Sequence, residues 1–99
     1  MSIVTIIAKV VAKPAAIETV KSELLKLVEP TRKETGCIEY HLHQDKSDPA
    51  QFTFYERWES AEDLQKHMQS EHFKRFQSVL ADSLETVAVQ ELTRLEPEA

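Results

Sequence analysis

Cys37-Ile-Glu-Tyr-His-Leu-His-Gln44 and Gln51-Phe-Thr-Phe-Tyr-Glu-Arg-Trp58, separated by the polar Asp45-Lys-Ser-Asp-Pro-Ala50, decide the fold. Side chains on a strand alternate between faces, so the first run sends Ile38, Tyr40 and Leu42 one way and Cys37, Glu39, His41 and His43 the other. The second divides more cleanly, with Phe52, Phe54, Glu56 and Trp58 on one side and Thr53, Tyr55 and Arg57 on the other. Two such runs around a segment of turn formers read as an antiparallel hairpin.

Upstream, Ile3-Val-Thr-Ile-Ile-Ala-Lys-Val-Val-Ala12 is too rich in β-branched residues for a comfortable helix and reads as a strand that is apolar on both faces. Pro14 then opens a helix of about 20 residues in which Ile17, Val20, Leu24, Leu27, Val28 and Thr31 recur at three- and four-residue spacing. Pro30 is expected to bend its last turn. Gly36, the only glycine in the chain, is expected at C′ in the left-handed conformation, turning the chain into the hairpin.

Downstream, Ser60-Ala-Glu-Asp63 caps a short helix that carries Leu64, His67 and Met68 inward. Ser70 is a second cap signal, so a break is expected at Gln69-Ser70 and a further helix from Glu71 to about Leu80. Val87-Ala-Val-Gln-Glu-Leu-Thr-Arg-Leu95 supplies the last strand, with an acidic tail beyond it. The order β-α-β-β-α-β is the α+β, ferredoxin-like arrangement: a four-stranded antiparallel sheet with its helices on one face. Ninety-nine residues make one domain, residues 1–99. The other face of that sheet is bare and its first strand is apolar on both sides. A homodimer packed through the sheet faces is therefore expected.

A net charge of −5 argues against nucleic acid, which needs Lys and Arg clustered on one face. No apolar run reaches the roughly 20 residues of a membrane span, and Ser2-Ile-Val-Thr-Ile-Ile-Ala8 lacks the basic start and cleavage site of a signal peptide. The expected address is cytoplasmic. A single glycine rules out P-loops, dinucleotide fingerprints and nucleophile elbows, and with them nucleotide and flavin cofactors. Cys37 stands alone, with no cationic neighbour in sequence to activate its thiol, and reads as structural.

The chemistry concentrates in His67-Met-Gln-Ser-Glu-His-Phe73, which places two histidines where cover for a sheet needs only Leu, Ile or Ala. On one unbroken helix they would stand about 140° apart. The break at Ser70 lets both rings approach one space. Glu56, between Phe54 and Trp58 on one strand face, has its charge poorly solvated if helices cover that face. Such a carboxyl suits proton transfer, or else serves as a structural acceptor for the Trp58 indole, a helix terminus or Arg57. Tyr40, Phe52, Phe54, Tyr55, Trp58, Phe73 and Phe76 supply a wall on which a planar ligand would stack. His41, His43, His67 and His72 have poor spacing for a metal site, and none is expected.

Glu34-Thr-Gly36-Cys37-Ile-Glu-Tyr40, Phe54-Tyr-Glu56-Arg-Trp58-Glu-Ser60 and His67-Met-Gln-Ser70-Glu-His72-Phe73 resemble, in order and spacing, the antibiotic biosynthesis monooxygenase (ABM) domain family with its small quinol monooxygenases. The resemblance covers nearly the whole chain. It implies a dimeric α+β barrel with a pocket between sheet and helices in each subunit, oxidising polycyclic or quinol-like aromatics with molecular oxygen and with neither metal nor flavin. On that reading His67 or Glu56 is the catalytic base, and His72, Trp58, Tyr40 and Phe73 orient the ring beside Phe54 and Phe76. Haem-degrading relatives use a helix histidine on the iron with asparagine and tryptophan beside the haem. Here His67 stands about where their tryptophan does, Gln77 near their ligand, and the first strand has no asparagine. Two alternatives remain: isomerisation of a phosphorylated autoinducer-type sugar derivative, and a non-catalytic dimer that binds a small metabolite.

Overall fold

The computed structural model describes residues 2–97. Strand β1 (Val4–Ala12) leads through a single 3-10 turn at Pro14–Ala16 into helix α1 (Ile17–Arg32). The hairpin strands are β2 (Cys37–Gln44) and β3 (Gln51–Trp58), and the second helical layer is α2 (Ala61–Met68) and α3 (Glu71–Val79). Strand β4 (Leu84–Leu92) closes the sheet. All pairings are antiparallel in the order β2-β3-β1-β4, which is the ferredoxin-like topology.

The register explains what the helices cover. Val4, Ile6, Ala8 and Val10 of β1 stand opposite Trp58, Glu56, Phe54 and Phe52 of β3, and directly opposed residues share a face. Onto this face α1 lays Val20, Leu24, Leu27 and Thr31, all buried, at the three- and four-residue spacing of one helical stripe. Tyr40, Phe76 and Leu80 complete the core. The hairpin turn is held by Asp45, whose Oδ2 accepts from the backbone N–H groups of Ser47 and Asp48 at 2.9 and 2.7 Å, the side-chain mimic of a backbone turn that Asp supplies.

Four expectations change. Helix α1 passes through Pro30 and ends at Arg32 with Lys33 as an ordinary right-handed cap, so Gly36 is not its C′ residue. A tight turn follows, with the Glu34 N–H donating to Thr31 O at 3.0 Å and the Cys37 N–H to Glu34 O at 3.2 Å. Gly36 ends that turn at φ 85°, where the Asp63 side chain occupies the space a Cβ would need. Second, a register slip between Cys37 and Glu39 sets Cys37 opposite Trp58 and Glu39 opposite Arg57. This bulge turns Cys37 to the helix side instead of the face of Glu39, and leaves Ile38 36% exposed.

Third, β4 begins and ends three residues earlier than the pattern of β-branched residues implies. Leu84 pairs with Ala12 across a bulge, and Leu95 lies beyond the strand. The anchor is a backbone bond from the Lys13 N–H to Ser83 O at 2.9 Å, a partner invisible in the local sequence. Fourth, the bare face is mixed in character, carrying Lys9, Thr53, Arg57 and Glu39 beside Ile7 and Val11, with Arg57 Nε 2.8 Å from Glu39 Oε2. Much of the exposed apolar surface sits on the helix side of the edge strand. Val87 and Val89, opposite Val10 and Ala8, are 53% and 58% exposed because neither α2 nor α3 reaches over β4.

Candidate active site

The turn after α1, the end of α2 and the start of α3 converge on one carboxylate. Glu34 Oε2 lies 2.8 Å from His67 Nδ1 and 2.6 Å from His72 Nε2, so with protons on those two nitrogens a single oxygen accepts from both rings. The break between the helices makes this meeting possible. Ser70 Oγ accepts from the Phe73 N–H at 3.3 Å and so caps α3, while its own hydroxyl donates to His67 O at 2.6 Å. One serine thus ends α2 and starts α3, and each histidine approaches the carboxylate from its own helix.

His67 is the buried member of the pair, with 2% of its side chain exposed against 25% for His72 and 16% for Glu34. Its ring lies 4.8 Å from Trp58, 5.1 Å from Phe73 and 5.7 Å from Tyr40, centroid to centroid. Burial depresses its pKa from the ordinary imidazole value, against the pull of the Glu34 hydrogen bond and charge. A neutral ring is therefore favoured. The hydrogen-bond network assigns its proton to Nδ1, which leaves Nε2 as the nitrogen with a free lone pair.

The cavity beside this ring spans about 550 Å³ when the open solvent at its mouth is counted with it. Its walls are apolar, drawn from Ile6, Ala8, Val10, Leu27, Leu64 and Phe54 on the inside and Val87 and Val89 at the edge strand. Among the described residues, only Tyr40, Glu56 and His67 bring polar side chains to it. Glu56 is 5% exposed, and its Oε1 accepts from Trp58 Nε1 at 2.9 Å. Burial raises its pKa to about 7, helped by the nearby charge of Glu34 and opposed by the Trp58 bond. Tyr40 is pushed well above the usual phenol range, first by burial and then by the Glu56 charge. It stays a neutral hydroxyl.

Of the eight residues singled out from sequence, Glu56, His67, Tyr40, Phe54, Phe73 and Phe76 line the cavity. Trp58 is fully buried behind the wall, where it holds the Glu56 carboxyl and stacks on His67. His72 does not line the cavity; it bonds Glu34, and its ring centroid lies 6.1 Å from that of His67. His41 and His43 belong to the opposite face of the sheet, paired with Tyr55 and Thr53. Cys37 has its thiol pushed up to about 11, chiefly by burial, so it remains a protonated, structural group.

Glu34 is the residue that sequence reasoning missed as a site member. It was legible only through its surroundings. Two histidines turned toward a core need acceptors, and an acidic residue just before the sole glycine sits where the chain reverses.

The chain matches the family model described as antibiotic biosynthesis monooxygenase over residues 3–79. PA3566 from Pseudomonas aeruginosa superposes with a TM-score of 0.93 at 38% identity, covering 97% of both chains. Rv0793 of Mycobacterium tuberculosis, whose name offers monooxygenase as a provisional activity, is 30% identical over 94 residues, spanning 94% of this chain and 92% of that protein. Its structure superposes with a TM-score of 0.89 at 28% identity, covering 99% of this chain and 100% of that one. An uncharacterised Synechocystis protein, sll1783, is 37% identical over 49 residues, half of this chain and 33% of its own length. A match to most of the sheet and all of the helical layer, with the same fold in relatives of ordinary sequence similarity, makes this chain a member of the antibiotic biosynthesis monooxygenase family.

Proposed function

We propose that the protein is a cofactor-independent monooxygenase that oxidises a quinol-like or polycyclic hydroxylated aromatic with molecular oxygen. One observation carries the reading: the imidazole of His67, hydrogen-bonded to the Glu34 carboxylate, and the buried carboxyl of Glu56 line the same otherwise apolar, aromatic cavity. A flat aromatic would stack against Tyr40, Phe54, Phe73 and Phe76, and a ring hydroxyl reaching His67 or Glu56 would lose its proton to that base. The phenolate then passes an electron to oxygen, the radical pair combines at a ring carbon to a peroxide, and loss of water leaves a carbonyl. One oxygen atom enters the substrate, the other leaves as water, and all four electrons come from the substrate. The protein's part is to bind, deprotonate and exclude water.

The isomerase alternative fits less well. A phosphorylated sugar asks for cationic donors, and among the described residues the cavity lining contains neither Lys nor Arg. A homodimer through the sheet faces and a cytoplasmic address belong to the same proposal. No helix among the described residues is long and apolar enough to cross a membrane.

The test is oxygen uptake with a panel of hydroquinones and hydroxylated polycycles. Wild-type protein should consume oxygen in step with loss of substrate, and His67→Ala and Glu56→Ala should be slower. Wild-type protein no faster than both variants on every substrate would overturn the proposal. Turnover that persists in the absence of oxygen would replace it with isomerisation.

A further inference from the structure

We propose that Glu34, His67 and His72 form a site for a divalent transition cation of the zinc class, and that its occupancy silences His67 as a base. The three donor atoms, one carboxylate oxygen and two imidazole nitrogens, come from three separate elements and lie within 4.8 Å of one another. Two imidazoles and a carboxylate are a set that binds Zn²⁺, Co²⁺ or Ni²⁺ and discriminates against Mg²⁺ and Ca²⁺, which take oxygen. Three protein ligands leave a fourth position free.

The geometry needs the donors to be re-spaced. An ion about 2.0–2.1 Å from each donor in a tetrahedral site sets its ligands roughly 3.3 Å apart, whereas Glu34 Oε2 now sits 2.8 and 2.6 Å from the two nitrogens. The two oxygen–nitrogen spacings must open by about 0.5 and 0.7 Å, and the two imidazole nitrogens, within 4.8 Å of one another, must come to the same tetrahedral spacing, which side-chain torsions of Glu34 and His72 would supply. Two of the three ligands are free to give way, since Glu34 and His72 are partly exposed at the rim while His67 is clamped by Trp58 and Phe73. The rim also offers the ion a route from solvent that does not pass through the apolar cavity.

Silencing follows from the two nitrogens of one ring. A cation on Nδ1 of His67 requires that atom's lone pair, so the proton of the neutral ring moves to Nε2. The nitrogen that accepted a proton becomes a donor. This clause rests on the proposed oxidation with His67 as base, whereas cation binding does not.

Chelator-treated protein titrated with Co²⁺, read by the visible absorption of the bound ion, with Zn²⁺ competition followed by calorimetry, tests the site. One ion per chain is expected, with affinity at least about tenfold weaker in His72→Gln and in Glu34→Gln and unchanged in the His41→Gln/His43→Gln double variant. His72→Gln keeps the test sound if Glu34→Gln fails to fold, because the ring lies at the rim. No binding up to millimolar Co²⁺, or binding indifferent to His72→Gln, overturns the site. Loss of oxygen uptake on adding Zn²⁺, restored by chelator, supports silencing, and uptake unaffected by bound Zn²⁺ overturns it. Absent uptake with every substrate in the metal-free protein defeats the proposed oxidation and leaves the titration to decide the site.

Discussion

Replacing Glu56 by glutamine should stabilise the protein at alkaline pH and leave it nearly unchanged in acid. The amide keeps the shape of the carboxyl and an oxygen to accept from Trp58 Nε1, the bond now made at 2.9 Å, but it has no charge to desolvate. In the wild type the folded-state pKa is raised from 4.5 to about 7. The folded protein therefore binds more proton than the unfolded chain between those values. Its favourable share is complete below the unfolded value and is lost as pH rises through the folded one. The gap between 4.5 and about 7, at about 1.4 kcal/mol for each pH unit, amounts to about 3 kcal/mol. For a domain of this size that corresponds to a rise in Tm of order 10 °C or more.

Thermal unfolding of wild type and Glu56→Gln, followed by circular dichroism from pH 4.5 to 8.5, measures the difference directly. Taking the difference between the two proteins cancels the contribution of His67. That contribution runs the opposite way: its folded pKa lies below the unfolded value, so it holds at neutral pH and is lost as the medium is acidified. A Tm difference that is the same at pH 4.5 and pH 8.5 would refute the argument, because it would mean that Glu56 ionises in the fold as it does in water. If Glu56 is the base of the proposed oxidation, the rate should also rise through pH about 7 in the wild type and lose that limb in the variant.

Glu34→Ala leaves the buried His67 Nδ1–H without its acceptor and removes the more exposed His72 bond, for a loss of about 2–3 kcal/mol. Chemical denaturation should show it, and a loss no larger than that of His72→Ala would mean the His67 bond contributes nothing. Gly36→Ala should destabilise by more than about 1 kcal/mol, from the positive φ and the clash with Asp63 together; a neutral effect in the same assay would show that the turn has another conformation open to it. Ser70→Ala should cost about 1 kcal/mol for the lost cap and lower turnover as well, since the hydroxyl also fixes the end of the helix that bears His67. Unchanged turnover would separate the cap from the site. Light scattering should give twice the 11.4 kDa chain mass at micromolar concentration, and a folded monomer there would remove the dimer from the proposal.

The hairpin, the helix break and the inward face of β3 were legible because each is written in local chemistry. Period-two alternation marks the strands, Asp and Pro mark the turn, and Ser70 marks the break. The cavity followed from these, since Phe54, Glu56 and Trp58 had to share a face and His67 had to lie above it. What escaped depends on contacts distant in sequence. Glu34 joins residues 33 and 38 positions away, and placing Gly36 at the helix end hid the turn that aims its carboxylate inward. The bulge that rotates Cys37 is set by pairing with β3, and the start of β4 by a bond to Lys13. Neither leaves a trace in its own segment. Trp58 belonged to the right face, but alternation says nothing of depth, and the indole proved to lie behind the wall.

The uncovered valines of β4 bear on substrate size. Val87 and Val89 form one side of the cavity while more than half exposed, so the binding space has a firm inner end at His67 and Tyr40 and no outer end. A ring system longer than the cavity can overhang the sheet edge without a clash. If the proposed oxidation holds, selection acts on the hydroxylated ring that reaches the inner end, and tolerance on whatever is fused or attached behind it. Activity across a substrate series should depend strongly on substitution near the reacting hydroxyl and weakly on the number of rings beyond it.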